Sequence, residues 1–168
     1  MLSMSHDLSH HDRPNKFEIS LANEQSRHAV DVEQLTAAAT LVLRDSPFDS
    51  AEISIAVVDD AAIHALNRHY LNHDWPTDVL SFLLGEEDRH LQGEVIISAD
   101  AAATSAAELG CSPGAEQLLY VIHGMLHLVG FRDKLPAEIT AMRAAEAQYL
   151  LRFGVGPTEH VPTGATAR

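Results

Sequence analysis

The sequence predicts a single α+β domain: a small four-stranded mixed sheet packed with about five helices, one of them central. Three observations predict it. Apolar and polar residues alternate in short stretches, the mark of half-buried strands. Longer stretches carry apolar residues at helical spacing. The two kinds of segment follow each other in mixed order rather than in strict strand–helix alternation. The length of 168 residues suits one domain with its own core.

Residues 1–15 are polar, with His6, His10 and His11 among Ser, Asp and Pro, and read as a disordered tail. Phe17, Ile19 and Leu21 alternate with Glu18 and Ser20, giving a first strand. Asp31 caps a helix, with Gln34 three residues on and Leu35, Ala38, Ala39, Val42 and Leu43 on its apolar face. Ser46-Pro47-Phe48-Asp49-Ser50 breaks it. Ile53, Ile55, Val57 and Val58 form the second strand, and Asp59-Asp60 cap a helix through Ile63, Leu66, Asn67 and Tyr70. A loop over 72–78 feeds a third strand, 79–84. Gly85 to His90 reads as a charged turn, and 93–98 as a fourth strand. An alanine-rich helix, 99–109, stops at Gly110. Ser112 and Pro113 fit the cap and first turn of the next helix. The last helix, 136–153, presents Ile139, Met142, Ala145, Tyr149 and Leu150, and Gly154, Gly156 and Pro157 end it. The folded domain is thus expected over 16–154, with a second disordered tail at 155–168.

No run of ~18 apolar residues predicts a membrane span. The N-terminus has no apolar core of a secretory signal. The single cysteine, Cys111, excludes an internal disulfide, reads as a structural thiol and fits a reducing, cytoplasmic setting. The net charge of −13 argues against nucleic-acid binding through a broad basic surface. Local cations exist nonetheless: Arg68, Arg89, Arg132, Lys134 and Arg143.

The chemistry concentrates in residues 123–133. His123 and His127 stand four apart, which on a helix places both imidazoles on one face. Gly130 permits the left-handed turn that ends a helix, and that turn brings Asp133 round to the histidines. Two histidines and a carboxylate with a fourth position open make the donor set of a catalytic zinc site. The same set also composes non-haem Fe(II) centres, but those are usually built on strands.

Three stretches, in order, resemble the YbeY family of metal-dependent endoribonucleases of rRNA maturation. They are Leu66-Asn67 with Thr77-Asp78-Val79-Leu80-Ser81-Phe82, then Gly93-Glu94-Val95-Ile96-Ile97-Ser98, then His123-Gly124-Met125-Leu126-His127-Leu128-Val129-Gly130. The resemblance runs from about Ile53 to Phe153. It implies a zinc-dependent single-strand endoribonuclease, a cytoplasmic enzyme of ribosome quality control. The implied partners are an rRNA precursor and the small ribosomal subunit, with one Zn2+ held by His123, His127 and Asp133. Asp78 and Glu94 are the acids within the matching segments and the candidates for proton transfer; for Thr77 and Asp78 the competing reading is a cap on the turn into the strand. Ser81 points away from the face of Leu80 and Phe82 and reads as structural. The chain departs from the family pattern in four places. Asp133 replaces a third histidine, Ala56 an arginine implicated in the RNA chemistry, Leu71 and Trp75 basic loop residues, and Glu94 a frequent Asp.

Two other classes compete. The spacing His-x-x-x-His-x-x-Gly-x-x-Asp copies the metzincin proteases, but their general base is a glutamate directly after the first histidine, where this chain has Gly124. A non-catalytic ribosome-associated zinc protein would need a closed, four-ligand site.

Overall fold

A computed structural model describes residues 16–75 and 77–156. The two tails expected at 1–15 and 155–168 lie outside the described residues except for Val155 and Gly156. Val155 packs on the core, and its N–H donates to the Leu150 carbonyl.

Among the described residues nine elements follow in the order β1 (Lys16–Asn23), α1 (Val32–Arg44), β2 (Ser50–Val58), α2 (Asp60–Leu71), β3 (Val79–Glu87), β4 (His90–Ser98), α3 (Ala99–Leu109), α4 (Pro113–Leu128) and α5 (Pro136–Arg152). The caps read from the sequence at Asp31, Asp59 and Ser112 form, and Ser98 adds a fourth that the sequence reading did not name. Asp31, Asp59, Ser98 and Ser112 each accept a backbone N–H of the first turn that follows. Gly110 ends α3 in the left-handed conformation.

The strands form one sheet in the order β1-β2-β4-β3. β1 with β2 and β2 with β4 are parallel, while β3 and β4 are antiparallel. The four-stranded mixed sheet and five helices are the α+β architecture the sequence predicts. One detail differs. The charged turn expected over 85–90 shrinks to Asp88 and Arg89, both at positive φ (48° and 62°), as a two-residue hairpin turn requires. Gly85, Glu86 and Glu87 pair with Gln92, Leu91 and His90 instead. Their polar side chains carry no apolar alternation, so nothing in the sequence marked them as strand.

Strand periodicity divides the apolar residues between two faces. Ile53, Ile55, Val57, Leu91, Val95 and Ile97 join the main core with α1, α3, α4 and α5. Val58, Leu80 and Ile96 meet Ile63 of α2 in a smaller cluster on the other face. Helix α4 is buried almost all round from Glu116 to Leu126, which makes it the central helix. It lies close on the sheet because two glycines face across the seam. A Cβ on Gly124 would stand 2.6 Å from Val95 Cγ1, and one on Gly93 would stand 2.7 Å from Leu128 Cδ1. Ser81 Oγ donates to the Gly124 carbonyl at 3.2 Å and ties β3 to the same seam.

Candidate metal centre

His123 is buried within α4, and His127, one turn on, reaches the cleft between that helix and the edge strand β3. The helix ends in a Schellman turn. Phe131 N–H donates to the Leu126 carbonyl and Gly130 N–H to the His127 carbonyl, with Gly130 at φ 110°. The turn does two things. It reverses the chain toward Asp133, and it presents the Phe131 carbonyl, 3.0 Å from His127 Nδ1. The returning loop is held from beyond: Glu138 Oε2 accepts the N–H groups of Lys134 (3.1 Å) and Leu135 (3.0 Å), opening α5. Helix α5 also delivers Glu146, whose carboxylate hydrogen-bonds His123 Nδ1.

These contacts fix both tautomers. A carbonyl only accepts, so His127 Nδ1 carries the proton; the Glu146 carboxylate sets His123 the same way. Both Nε2 lone pairs therefore turn inward. The two Nε2 atoms lie 2.9 Å apart. Asp133 Oδ2 is 3.2 Å from His127 Nε2 and 3.4 Å from His123 Nε2. Three electron-rich atoms at such separations repel unless a cation sits among them. Ligands ~2.0–2.1 Å from a tetrahedral metal stand about 3.3 Å apart; the two spacings to Asp133 match that, and the two Nε2 atoms stand closer together, at 2.9 Å. The residues present fit a divalent metal ion, and the sequence-predicted ligands His123, His127 and Asp133 are the ones brought together.

The surrounding cleft, roughly 420 Å³, is lined by Asn67, Leu71, His73, Thr77, Ser81 and the metal-side residues Arg132 and Lys134, among others. Burial, with the nearby His123 charge, holds the His127 pKa below its ordinary value, against the opposing pull of Asp133 and the Phe131 carbonyl. A neutral imidazole is the form a metal requires.

The family model described as Endoribonuclease YbeY matches residues 20–154. The chain belongs to the Endoribonuclease YbeY family. Proteins of that name from Syntrophotalea carbinolica and Pelotomaculum thermopropionicum are 40% and 39% identical to it, over 80% and 82% of this chain and 95% and 97% of their own lengths. A third, from Rhodopirellula baltica, is 41% identical over 64% of this chain, and the match spans 56% of that protein. A solution structure from Thermotoga maritima shares the fold, with a TM-score of 0.57 over 90% of this chain and 99% of that one at 21% identity.

Within this YbeY-family fold, Asp78 sits between Thr77 and Val79, two residues that line the cleft. Asp78 Oδ1 accepts the Val79 N–H at 2.9 Å at the start of β3. Glu94 lies on β4 in register with Ser54 and Phe82, on the face opposite Val95 and so opposite α4. Ala56 packs against the small cluster under α2. Cys111 hydrogen-bonds Glu116 at 3.6 Å, away from the metal residues, and burial raises its pKa. Sequence reasoning missed Glu146. Its signal was an acid inside the apolar stripe of α5, four residues after Met142 and three before Tyr149. It also missed the purpose of Asn67. Buried, Asn67 donates Nδ2–H to the Trp75 carbonyl at 2.8 Å, and its own carbonyl accepts the His73 N–H at 3.3 Å. It shapes the loop that walls the cleft.

Proposed function

We propose that this centre is the active site of a zinc-dependent single-strand endoribonuclease that trims rRNA precursors on the small ribosomal subunit in the cytoplasm. Family membership supplies the class, a hydrolase acting on RNA. The observation that carries the reading further is the convergence of His123, His127 and Asp133 in a cleft flanked by Arg132 and Lys134. Zinc is favoured because nitrogen and carboxylate donors at tetrahedral spacing suit it, and three protein ligands leave a position open.

When bound there, zinc supplies a Lewis acid and lowers the pKa of a coordinated water toward ~7. The chain supplies the rest. Glu146 and the Phe131 carbonyl hold the imidazoles with Nε2 inward. Arg132 and Lys134 flank Asp133 and are suited to gripping a phosphodiester. Thr77, Ser81 and Leu71 complete the cleft lining.

The protease alternative is weaker on this geometry. The position of a metzincin base belongs to Gly124, and any side chain there collides with Val95. A closed structural site needs a fourth donor, and the cluster has three among the described residues.

The test is cleavage of an rRNA 3′ precursor by the wild-type chain, by Asp133→Ala and by a chelated sample. The reading expects cleavage by the first alone, with casein left intact. Equal cleavage by all three contradicts it. Asp78→Asn and Glu94→Gln, run alongside, decide whether either acid carries a proton: a proton carrier loses rate with KM unchanged.

A further inference from the structure

We propose that the stacked pair His73–Trp75 is a shelf for an unpaired nucleobase, which seats single-stranded RNA at the mouth of the metal cleft. This rests on the endoribonuclease reading of that cleft and names how the substrate is held.

The two rings lie nearly parallel, 13° apart, with centroids at 4.5 Å. His73 lines the cleft together with His127, Asp133, Arg132 and Lys134. Trp75, the only tryptophan in the chain, is 43% exposed. With His73 stacked on it, the indole still keeps ring surface open to solvent, and an aromatic ring of that kind can take a stacked base. The loop backbone that carries the rings is tied to α2. Asn72 turns left-handed at φ 55° at the end of α2. Asn67 grips the loop at Trp75 and His73, and His64 Nε2 meets Asp74 Oδ1 at 3.0 Å. The backbone under the shelf is therefore held, which lowers the ordering cost of binding.

Charge points the same way. The chain carries −13, and Glu18, Glu52 and Glu94 lie on the sheet face away from α4. That face repels a phosphate backbone. The cations of the cleft are Arg132 and Lys134. Two phosphate contacts alone give weak binding, so a large share of affinity must come from contacts that do not depend on charge. Base stacking on an aromatic ring is such a contact. A paired base cannot leave its helix to reach the shelf without loss of pairing, so the device selects single strands.

The test uses the full-length, zinc-loaded protein and the intrinsic fluorescence of Trp75. Probes are a mixed-sequence single-stranded oligoribonucleotide and the same strand in a perfect duplex. The single strand quenches Trp75 saturably and the duplex does not. Trp75→Ala raises KM for cleavage about ten-fold, with kcat near wild type; Trp75→Phe restores most of the affinity. Asp133→Ala abolishes cleavage yet keeps the quenching, which separates the shelf from the chemistry. If the wild type quenches but cleaves no RNA, the shelf stands and the nuclease reading falls. Cleavage without quenching, with KM unchanged in Trp75→Ala, overturns the shelf and leaves the nuclease. Equal quenching by the duplex also overturns it.

Discussion

At the residue scale the centre depends on two hydrogen bonds made away from the metal face. Glu146 holds His123, and the Phe131 carbonyl holds His127. A neutral amide orients an imidazole but does not raise its basicity as a carboxylate does. Glu146→Gln is therefore expected to weaken zinc binding 10–100-fold, measured by competition with a chromophoric chelator; unchanged affinity would remove Glu146 from the centre. The depressed pKa of His127 sets a pH dependence for the apo-protein. The folded state resists a proton that the unfolded chain accepts near 6.5. Stability from this group is present above pH 6.5 and is lost as pH falls through the lower folded value. Thermal unfolding of the metal-free chain from pH 8 toward pH 5 should show that loss, and His127→Gln should reduce it. The ligands were legible because i, i+4 histidines and a turn glycine are local signals. Glu146 was not, because 23 residues separate it from His123 and only the packing of α5 on α4 brings them together. Asp78 and Glu94 were chosen by segment match, and the Asp78→Asn and Glu94→Gln kinetics decide their role.

At the element scale the decisive contact is α4 on the sheet. Gly124 and Gly93 let the helix approach until Val95 and Leu128 fill the seam. Gly124→Ala is expected to cost roughly 1–3 kcal/mol, the range for an overpacked core. Gly114, in the first turn of the same helix, meets only Ser112 Oγ at 4.0 Å. Gly114→Ala should instead be neutral or raise stability by up to ~1 kcal/mol. Urea unfolding of the pair checks both, and similar losses would contradict the close-approach account. Helix and strand identities were readable here because caps and alternation are short-range. The reach of β3 and β4 into their hairpin was not, since exposed polar residues pair as well as apolar ones.

At the scale of the whole molecule, an acidic chain presents a small basic margin beside its metal residues. That asymmetry predicts a shallow salt dependence for RNA binding. With Arg132 and Lys134 as the phosphate contacts, the log–log slope should be near ~−1.4, from about −0.7 per contact on single strands; a much steeper slope would demand a basic path elsewhere. The described residues contain no helix long and apolar enough to cross a membrane. The central claim is that His123, His127 and Asp133 together hold one divalent ion. Elemental analysis of the purified full-length chain tests it most directly, with Asp133→Ala and His123→Ala alongside. The account predicts about one zinc per wild-type chain and a large loss in both variants. A wild-type chain that takes up no metal, or an Asp133→Ala chain that keeps its full complement, would contradict it.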